Sequence, residues 1–278
     1  MSETDRIPLA GVIGSPVAHS RSPLLHQHWL RRHGLKGYYI PMDVGHQDLA
    51  NALRTLPRIG FVGLNVTIPH KEAVIRMADV VSDRAALMGA ANTLVFRKDG
   101  KIQAENTDGY GFMENLRHGA PSWDPAAGPA AVFGAGDAAR AVIASLLEAG
   151  VPEIRLSNRT RARADALRQE FGTKVHVQEW VQAGNMLEGA ALAVNTTSLG
   201  MTGKPAFRVP LDGLSPETVV TDLVYAPLET DFLRRAREIG CVTVDGLGML
   251  LYQAVPGFER WFGVRPQVDE AARAAVLA

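Results

Sequence analysis

Short apolar runs closed by turn-forming residues alternate with stretches of helical period along the whole chain. Ile7–Gly14 reads as a strand, and Ser22–His33 as a helix opened by Ser22-Pro23 and closed by Gly34. Tyr38–Val44 reads as a second strand, Gln47–Leu56 as a second helix and Gly63–Val66 as a third strand. This order implies right-handed crossovers and a mostly parallel sheet. One exception is local. Asn92–Phe96 and Lys101–Glu105 flank Lys98-Asp99-Gly100, and Asp-Gly between two strand patterns predicts a hairpin.

The segment Gly119–Pro129 carries three prolines and two glycines in eleven residues and reads as a linker. Beyond it the alternation restarts with strand Ala130–Phe133, helix Ala138–Ala149, strand Glu153–Ser157 and helix Arg161–Phe171. Further strands are expected at Leu192–Asn195, Val219–Leu223 and Cys241–Val244, and helices at Gly248–Phe262 and Gln267–Leu277. Two α/β domains are the natural reading of 278 residues patterned in this way.

Composition narrows the function. Apolar residues make up 46% and charged residues 21%, which argues against disorder or a fibrous repeat. Lys+Arg and Asp+Glu both number 29, so the chain lacks the basic surplus that binding a nucleic-acid backbone requires. The longest uncharged stretch, Gly189–Gly203, is short of the roughly twenty apolar residues of a membrane span and is rich in Asn, Thr and Ser. The opening residues Met1–Arg6 are polar and no signal-peptide core follows them. The single cysteine, Cys241, sits among Ile239, Val242 and Val244 and reads as a small buried hydrophobe. A soluble protein of the reducing cytoplasm is expected, with no nucleic-acid or membrane partner.

Candidate chemistry begins at Phe133-Gly134-Ala135-Gly136-Asp137-Ala138-Ala139, which follows an expected strand and opens an expected helix. In that context Gly134 allows a tight turn, Gly136 lets backbone approach a pyrophosphate, and Ala139 permits close helix–strand packing. A plain strand-to-helix turn would show a similar Gly-x-Gly, so the surrounding β-α-β pattern carries the weight. An NAD site places an acid at the end of the next strand to hold the ribose 2′-hydroxyl. Here Leu156–Thr160 contains none, and Arg159, Arg161 and Arg163 offer guanidinium forks suited to a 2′-phosphate. NADP is the expected cofactor. Arg161 and Arg163 could equally be a solvated helix face.

In the first half, His19-Ser20-Arg21-Ser22-Pro23 puts two hydroxyls at a helix start, where a carboxylate can bind. The plainer reading makes Ser22 an N-cap with Pro23 at the first helical position. Asn65-Val-Thr67-Ile-Pro69-His-Lys71 runs off a strand, and Lys71 is expected in a first helical turn, where the dipole disfavours a cation. Asn106-Thr-Asp108-Gly109 places an acid at a similar junction, where Asp is often only a cap. His19, His26, His28 and His33 crowd one segment without a carboxylate or cysteine at ligand spacing, so exposed helix-face histidines are expected and no metal site.

Together these segments resemble the shikimate dehydrogenase family over nearly the whole chain. The matching blocks are Ser20-Arg-Ser22-Pro23, Asn65-Val-Thr67-Ile-Pro69-His-Lys71, Gly89-Ala-Ala-Asn92-Thr93, Asn106-Thr-Asp108-Gly109 and Gly134-Ala-Gly136. They continue with Asn158-Arg159-Thr160, Asn195-Thr-Thr-Ser-Leu-Gly200-Met201, Asp222-Leu-Val-Tyr225-Ala-Pro227 and Asp245-Gly246-Leu-Gly248-Met-Leu-Leu-Tyr-Gln253. The resemblance implies a two-lobed α/β fold. A substrate domain of residues 1–112 and 247–278 would flank a Rossmann-type NADP domain of residues 113–246, with the active site in the cleft between them.

It also implies residue roles. Ser20 and Ser22 would bind the substrate carboxylate. Thr67, Asn92, Asp108 and Gln253 would hold the ring hydroxyls, with Tyr225 nearby, and Lys71 with Asp108 would be the catalytic pair. Gly134, Ala135, Gly136, Asp137 and Ala138 would take the pyrophosphate, and Asn158, Arg159, Thr160 and Arg163 the adenosine ribose phosphate. Asp83, Leu223 and Gly246 would touch the cofactor more loosely. The implied reaction is reversible NADPH-dependent reduction of 3-dehydroshikimate to shikimate, in the route to chorismate and the aromatic amino acids, by a monomer or homodimer. A sister enzyme acting on quinate or an aminoshikimate is the alternative within the fold. A catalytically dead relative is the alternative outside it, and the presence of Lys71 and Asp108 argues against that. Two departures from the family pattern are Asp137, where a third glycine is usual, and Tyr252, often His or Ala.

Overall fold

The structure, a computed structural model, describes residues 6–278; the five residues before them, with most of the polar opening segment, lie outside the described part. Its contacts divide the chain into two units, one running to Thr107 and resuming at Leu251–Ala278, the other Asp108–Leu250.

The first unit is built on a six-stranded sheet. Strands β1 (Leu9–Gly14), β2 (Tyr38–Asp43), β3 (Phe61–Val66), β4 (Val80–Val81), β5 (Thr93–Phe96) and β6 (Ile102–Glu105) lie in the order β2-β1-β3-β5-β6-β4. β1 pairs in parallel with β2 and β3, while β5 runs antiparallel to both β3 and β6. The expected hairpin is therefore present, as β5 and β6. Helices α1 (Ser22–Arg32), α2 (Leu49–Thr55) and α3 (Asp83–Met88) join these strands.

The second unit opens with α4 (Asp108–Gly119) and then alternates regularly: β7 (Ala130–Phe133), α5 (Asp137–Glu148), β8 (Ile154–Ser157), α6 (Arg161–Phe171), β9 (Val175–Gln178), β10 (Leu192–Asn195), β11 (Val219–Asp222), α7 (Asp231–Ile239) and β12 (Val242–Val244). All its pairings are parallel, in the order β12-β11-β10-β7-β8-β9. In chain order this is 3-2-1-4-5-6, the doubly wound arrangement whose strand order reverses beside its first strand. Every residue of β7, β10 and β11 is buried, as strands covered on both faces must be.

Helix α8 (Leu247–Phe262) begins in the second unit and continues into the first, and α9 (Glu270–Leu277) ends the chain. Its return to the first sheet depends on one glycine. A Cβ on Gly63 of β3 would lie 1.9 Å from Trp261 Nε1, and that indole donates to Leu94 O on β5 at 3.0 Å. Trp29 of α1 donates to Gln267 O at 3.1 Å, and Arg32 pairs with Asp269, so α1 and the C-terminal segment hold each other.

Several expectations need correction. The helix expected from Gln47 starts with a tighter turn at His46–Asp48 and becomes α-helical only at Leu49. The last helix starts at Glu270 because Asp269 Oδ1 caps it, accepting from Ala272 N at 3.0 Å. No α-helix follows Pro69. Lys71 lies in a turn ahead of a four-residue 3-10 segment, Val74–Met77, so the helix-dipole argument for Lys71 falls. Ser22 is not an N-cap: Arg21 holds that position and no side chain caps the helix. His26 is no exposed helix-face histidine. It is fully buried, stacked parallel on Tyr39 with centroids 3.9 Å apart and packed against Trp29, Phe258 and Trp261.

Burial lowers the His26 imidazole from 6.5 to about 3. A folded pKa below the unfolded one means that stability is complete above pH 6.5 and is lost as pH falls toward 3. The expected loss is about 1.4 kcal/mol per pH unit from this one group. Urea unfolding of wild type and His26→Phe at pH 6, 5 and 4 should give slopes against pH that differ by close to one proton. Equal slopes would show that His26 does not titrate with folding.

Candidate active site

The polar residues of the first unit gather at the end of β3, the start of β5 and the segment after β6. Asn92 is buried, and its Oδ1 accepts from Thr107 N at 2.9 Å and from Thr93 Oγ1 at 3.1 Å. With the oxygen so committed, Nδ2 must face the other way, where it donates to Gln253 Oε1 at 3.2 Å. Thr107 Oγ1 in turn lies 2.9 Å from Gln253 O. Residues 161 positions apart are thereby joined, Gln253 of α8 to Asn92 ahead of β5.

Lys71 is placed by its own backbone. Its carbonyl accepts from Ala91 N at 2.9 Å, one residue from Asn92, and the turn before it closes through His70 N to Thr67 O at 3.0 Å. Buried His70 anchors that turn from beneath, Nε2 lying 2.6 Å from Val44 O. His70 sits inside one of the family motifs, yet nothing in its spacing showed that it would point inward. Thr67 N donates to Ile13 O at 2.9 Å, and a Cβ on Gly14 would sit 2.4 Å from Thr67 Cγ2, so this threonine needs a glycine on β1. Ser20 and Ser22 are brought together: Ser22 N donates to Ser20 Oγ at 3.3 Å, and Ser22 is buried at the first position of α1. Asp108 starts α4 in the second unit, directly after the Thr107 that Asn92 holds, and Tyr225 follows β11.

The second unit carries the dinucleotide loop. Gly134 has φ +114°, and a Cβ there would meet Thr196 Oγ1 at 2.5 Å, so both the backbone and the loop after β10 exclude any other residue. Those two loops follow β7 and β10, the strands at which the order reverses, where open α/β sheets bind their ligands. A Cβ on Gly136 would meet nothing within 4 Å, and α5 begins there with no side chain capping its free N–H groups. Asp137 is exposed, away from the buried turn. These features fit a dinucleotide: a small-residue turn, open space above Gly136 and uncapped helix donors.

At the end of β8, Asn158 Nδ2 donates to Thr160 O at 2.8 Å and shapes the turn. Arg161 is paired with Asp165 and Glu179, while Arg159 and Arg163 are exposed beside this turn. Leu223 and Gly246 are brought together, since a Cβ on Gly246 would lie 2.4 Å from Leu223 O. Asp83 sits exposed at the start of α3 in the first unit.

Sequence alone gave Asp222 no role. Its Oδ1 accepts from Asn195 Nδ2 and Val224 N, both at 3.0 Å, and its Oδ2 from Thr230 Oγ1 at 2.7 Å. Burial pushes its carboxyl up to about 6, against the pull of those three donors. Asn195 in turn holds Thr197 through N at 3.0 Å and Oγ1 at 2.7 Å, and Thr230 Oγ1 caps α7 at Leu233 N. One carboxyl thus ties the loops after β10 and β11 to a helix start. The signal lay within the Asp222–Pro227 block, but its partners lie on other strands.

A doubly wound nucleotide unit joined to a polar unit of hydroxyls and amides defines the class, a nucleotide-dependent dehydrogenase of α/β fold. Residues 12–94 match the family described as shikimate dehydrogenase substrate binding domain, residues 126–200 that described as shikimate / quinate 5-dehydrogenase, and residues 246–277 the shikimate 5'-dehydrogenase C-terminal domain. A shikimate dehydrogenase (NADP(+)) of Cereibacter sphaeroides is 72% identical over 100% of both chains, and one of Paracoccus denitrificans 67% identical over 98% of this chain and 96% of its own. Among solved structures, Thermus thermophilus shikimate 5-dehydrogenase in complex with NADP(H) and shikimate is 39% identical, with a TM-score of 0.85 over 97% of this chain and 100% of that one. Quinate dehydrogenase from Corynebacterium glutamicum in complex with NAD is 31% identical, with a TM-score of 0.91 over 97% and 99%. The chain belongs to the shikimate dehydrogenase family.

Arg159→Ala should raise the NADP KM by about ten- to a hundredfold, since a charge-assisted contact contributes about 1.5–3 kcal/mol. The NAD KM should hardly move. Initial rates with both cofactors check this, and an unchanged NADP-to-NAD ratio would remove Arg159 from the phosphate site.

Proposed function

We infer that the protein is an NADP-dependent shikimate dehydrogenase, reducing 3-dehydroshikimate to shikimate and running the reverse oxidation. The observation that carries the reading is the fixed pairing of Asn92 with Gln253 beside the Lys71 turn. Two oriented amides near the turn that carries Lys71 suit a substrate with several ring hydroxyls and one carbonyl that must exchange a proton. Ser20 and Ser22 would receive the carboxylate, and Thr67, Asn92, Asp108, Tyr225 and Gln253 the ring oxygens.

Bound NADPH would supply the hydride, held by Gly134–Ala138 and by Asn158, Arg159, Thr160 and Arg163. Lys71 would give a proton to the reacting oxygen in reduction and take it back in oxidation, with Asp108 orienting the ammonium. Asp83, Leu223 and Gly246 would line the cofactor. The domains are read as residues 1–112 with 247–278 for substrate and 113–246 for NADP. The enzyme is read as a monomer or homodimer of the cytoplasm, and no helix among the described residues is long and apolar enough to cross a membrane.

Initial rates with shikimate and quinate, each against NADP and NAD, test the substrate and cofactor together. The pair shikimate–NADP should give the highest kcat/KM, and a preference for quinate with NAD would replace this reading by that of the Corynebacterium relative. Lys71→Met keeps the aliphatic stem and removes the ammonium, so kcat should fall by about 10²–10⁴-fold while NADP affinity holds. A variant retaining more than about a tenth of wild-type kcat would move the proton to another group.

A further inference from the structure

Tyr39 lies on β2, an edge strand of the first sheet, yet its side chain is wholly buried. Stacking on His26 accounts for the ring, and a phenylalanine would stack as well. The hydroxyl plays a separate part. It donates to Asn65 Oδ1 at 2.7 Å, inside the protein. Burial also raises the phenol well above its ordinary value, so it stays a donor throughout the working pH range.

A carboxamide whose oxygen accepts from Tyr39 has only one orientation left. Asn65 Nδ2 accordingly faces Asn92 O and Thr93 Oγ1, each at 3.2 Å. Thr93 Oγ1, accepting from Asn65, has its own proton to give, and Asn92 Oδ1 takes it at 3.1 Å. That leaves Asn92 Nδ2 to donate to Gln253 Oε1, which turns the Gln253 nitrogen to the opposite side. Tyr39, Asn65 and Thr93 are all buried, so no water can replace a lost link cheaply. Donor and acceptor alternate without a break from Tyr39 to Gln253. Reversing Asn92 or Gln253 would set donor against donor, and reversing Asn65 would set its oxygen against the carbonyl of Asn92.

We propose that Tyr39 is a positioning residue for substrate: its hydroxyl completes and holds the buried chain, oriented by Thr107 N and Asn92 O, that aims the Asn92 and Gln253 amides at the ring hydroxyls. This rests on the reading of Asn92 and Gln253 as substrate-binding. Tyr39 carried no sequence signal beyond a strand position; Ser22 also hydrogen-bonds the phenol, so the Thr93 variants below isolate the route through Asn65 and Thr93.

The test uses the full-length enzyme. Tyr39→Phe should raise the shikimate KM at least tenfold, with kcat and the NADP KM changing less than twofold. Thr93→Val cuts the same chain further on with almost no change of shape and should act alike, while Thr93→Ser should restore the wild-type KM. In an Asn92→Ala background, Tyr39→Phe should have no further effect on the shikimate KM. A lower melting temperature with the shikimate KM within twofold of wild type, in Tyr39→Phe and in Thr93→Val, would leave the hydroxyl purely structural and overturn the proposal. Should Tyr39→Phe fail to fold, the Thr93 pair decides by the same criterion. An Asn92→Ala enzyme with unchanged shikimate KM would instead bring down the substrate-site reading itself, and the Tyr39 proposal with it.

Discussion

The carboxamide of Asn92 accepts from Thr107 N and Thr93 Oγ1 on one side and donates to Gln253 on the other, so it cannot turn over without breaking all three bonds. Much of the first unit can be understood as what is needed to keep that amide where it is. Thr93 begins β5, whose antiparallel pairing with β3 puts it beside Asn65. Thr107 follows β6, the hairpin partner of β5. Gln253 arrives on α8, which reaches the sheet only because Gly63 leaves room for Trp261. A buried amide left half-paired costs about 1–3 kcal/mol, a large share of the stability of a domain. The geometry of the site and the stability of the unit are therefore set by the same bonds.

The second unit has a buried carboxyl that gathers its loops. Asp222 stands at the end of a central parallel strand and gathers Asn195, Val224 and Thr230 around it. Its raised pKa reflects two opposed effects, since burial disfavours the charge that the three donors favour. The loops it fixes follow the carboxyl ends of β10 and β11, and the β10 loop touches Gly134 in turn. Both units thus place one buried polar group beneath the loops that would meet a ligand.

The regular part of this fold was legible in the chain. Ala130–Phe133, Arg161–Phe171 and Leu192–Asn195 have the expected bounds, because buried parallel strands and their crossover helices carry strong local patterns. Strands β4 and β9 and helix α3 are short and weakly patterned, whereas α7 is strongly amphipathic, burying Phe232, Leu233 and Ala236. β4 is two residues long, and α7 is defined by a cap, Thr230, that also serves Asp222. The site divided along the same line. Gly134 announces itself by local backbone need and Gly136 by its place in the strand-turn-helix pattern, whereas Tyr39, Asn65 and Asp222 act through partners on other strands. The errors had the same root. Ser22-Pro23 does start α1, with the cap one residue earlier at Arg21, whereas Pro69-His-Lys71 looks like a helix start locally but forms a turn whose Lys71 carbonyl is held by Ala91 N.

The two units also differ in how they could discriminate. Arg159 and Arg163 would act on a phosphate through charge, an interaction that is long-ranged, tolerant of small displacements and weakened by salt. Asn65, Asn92, Thr93, Thr107 and Gln253 carry no charge, and their bonds fail with small errors of angle or distance. A site built to hydrogen-bond a hydroxyl rejects an analogue lacking it far more strongly than an apolar pocket rejects a missing methylene. That rejection depends on the amides being unable to rotate and pair elsewhere when the hydroxyl is absent. Directional locking of Asn92 by its neighbours supplies this condition, so selectivity on the substrate side would come from the rigidity of groups beneath the site as much as from those that touch the ligand.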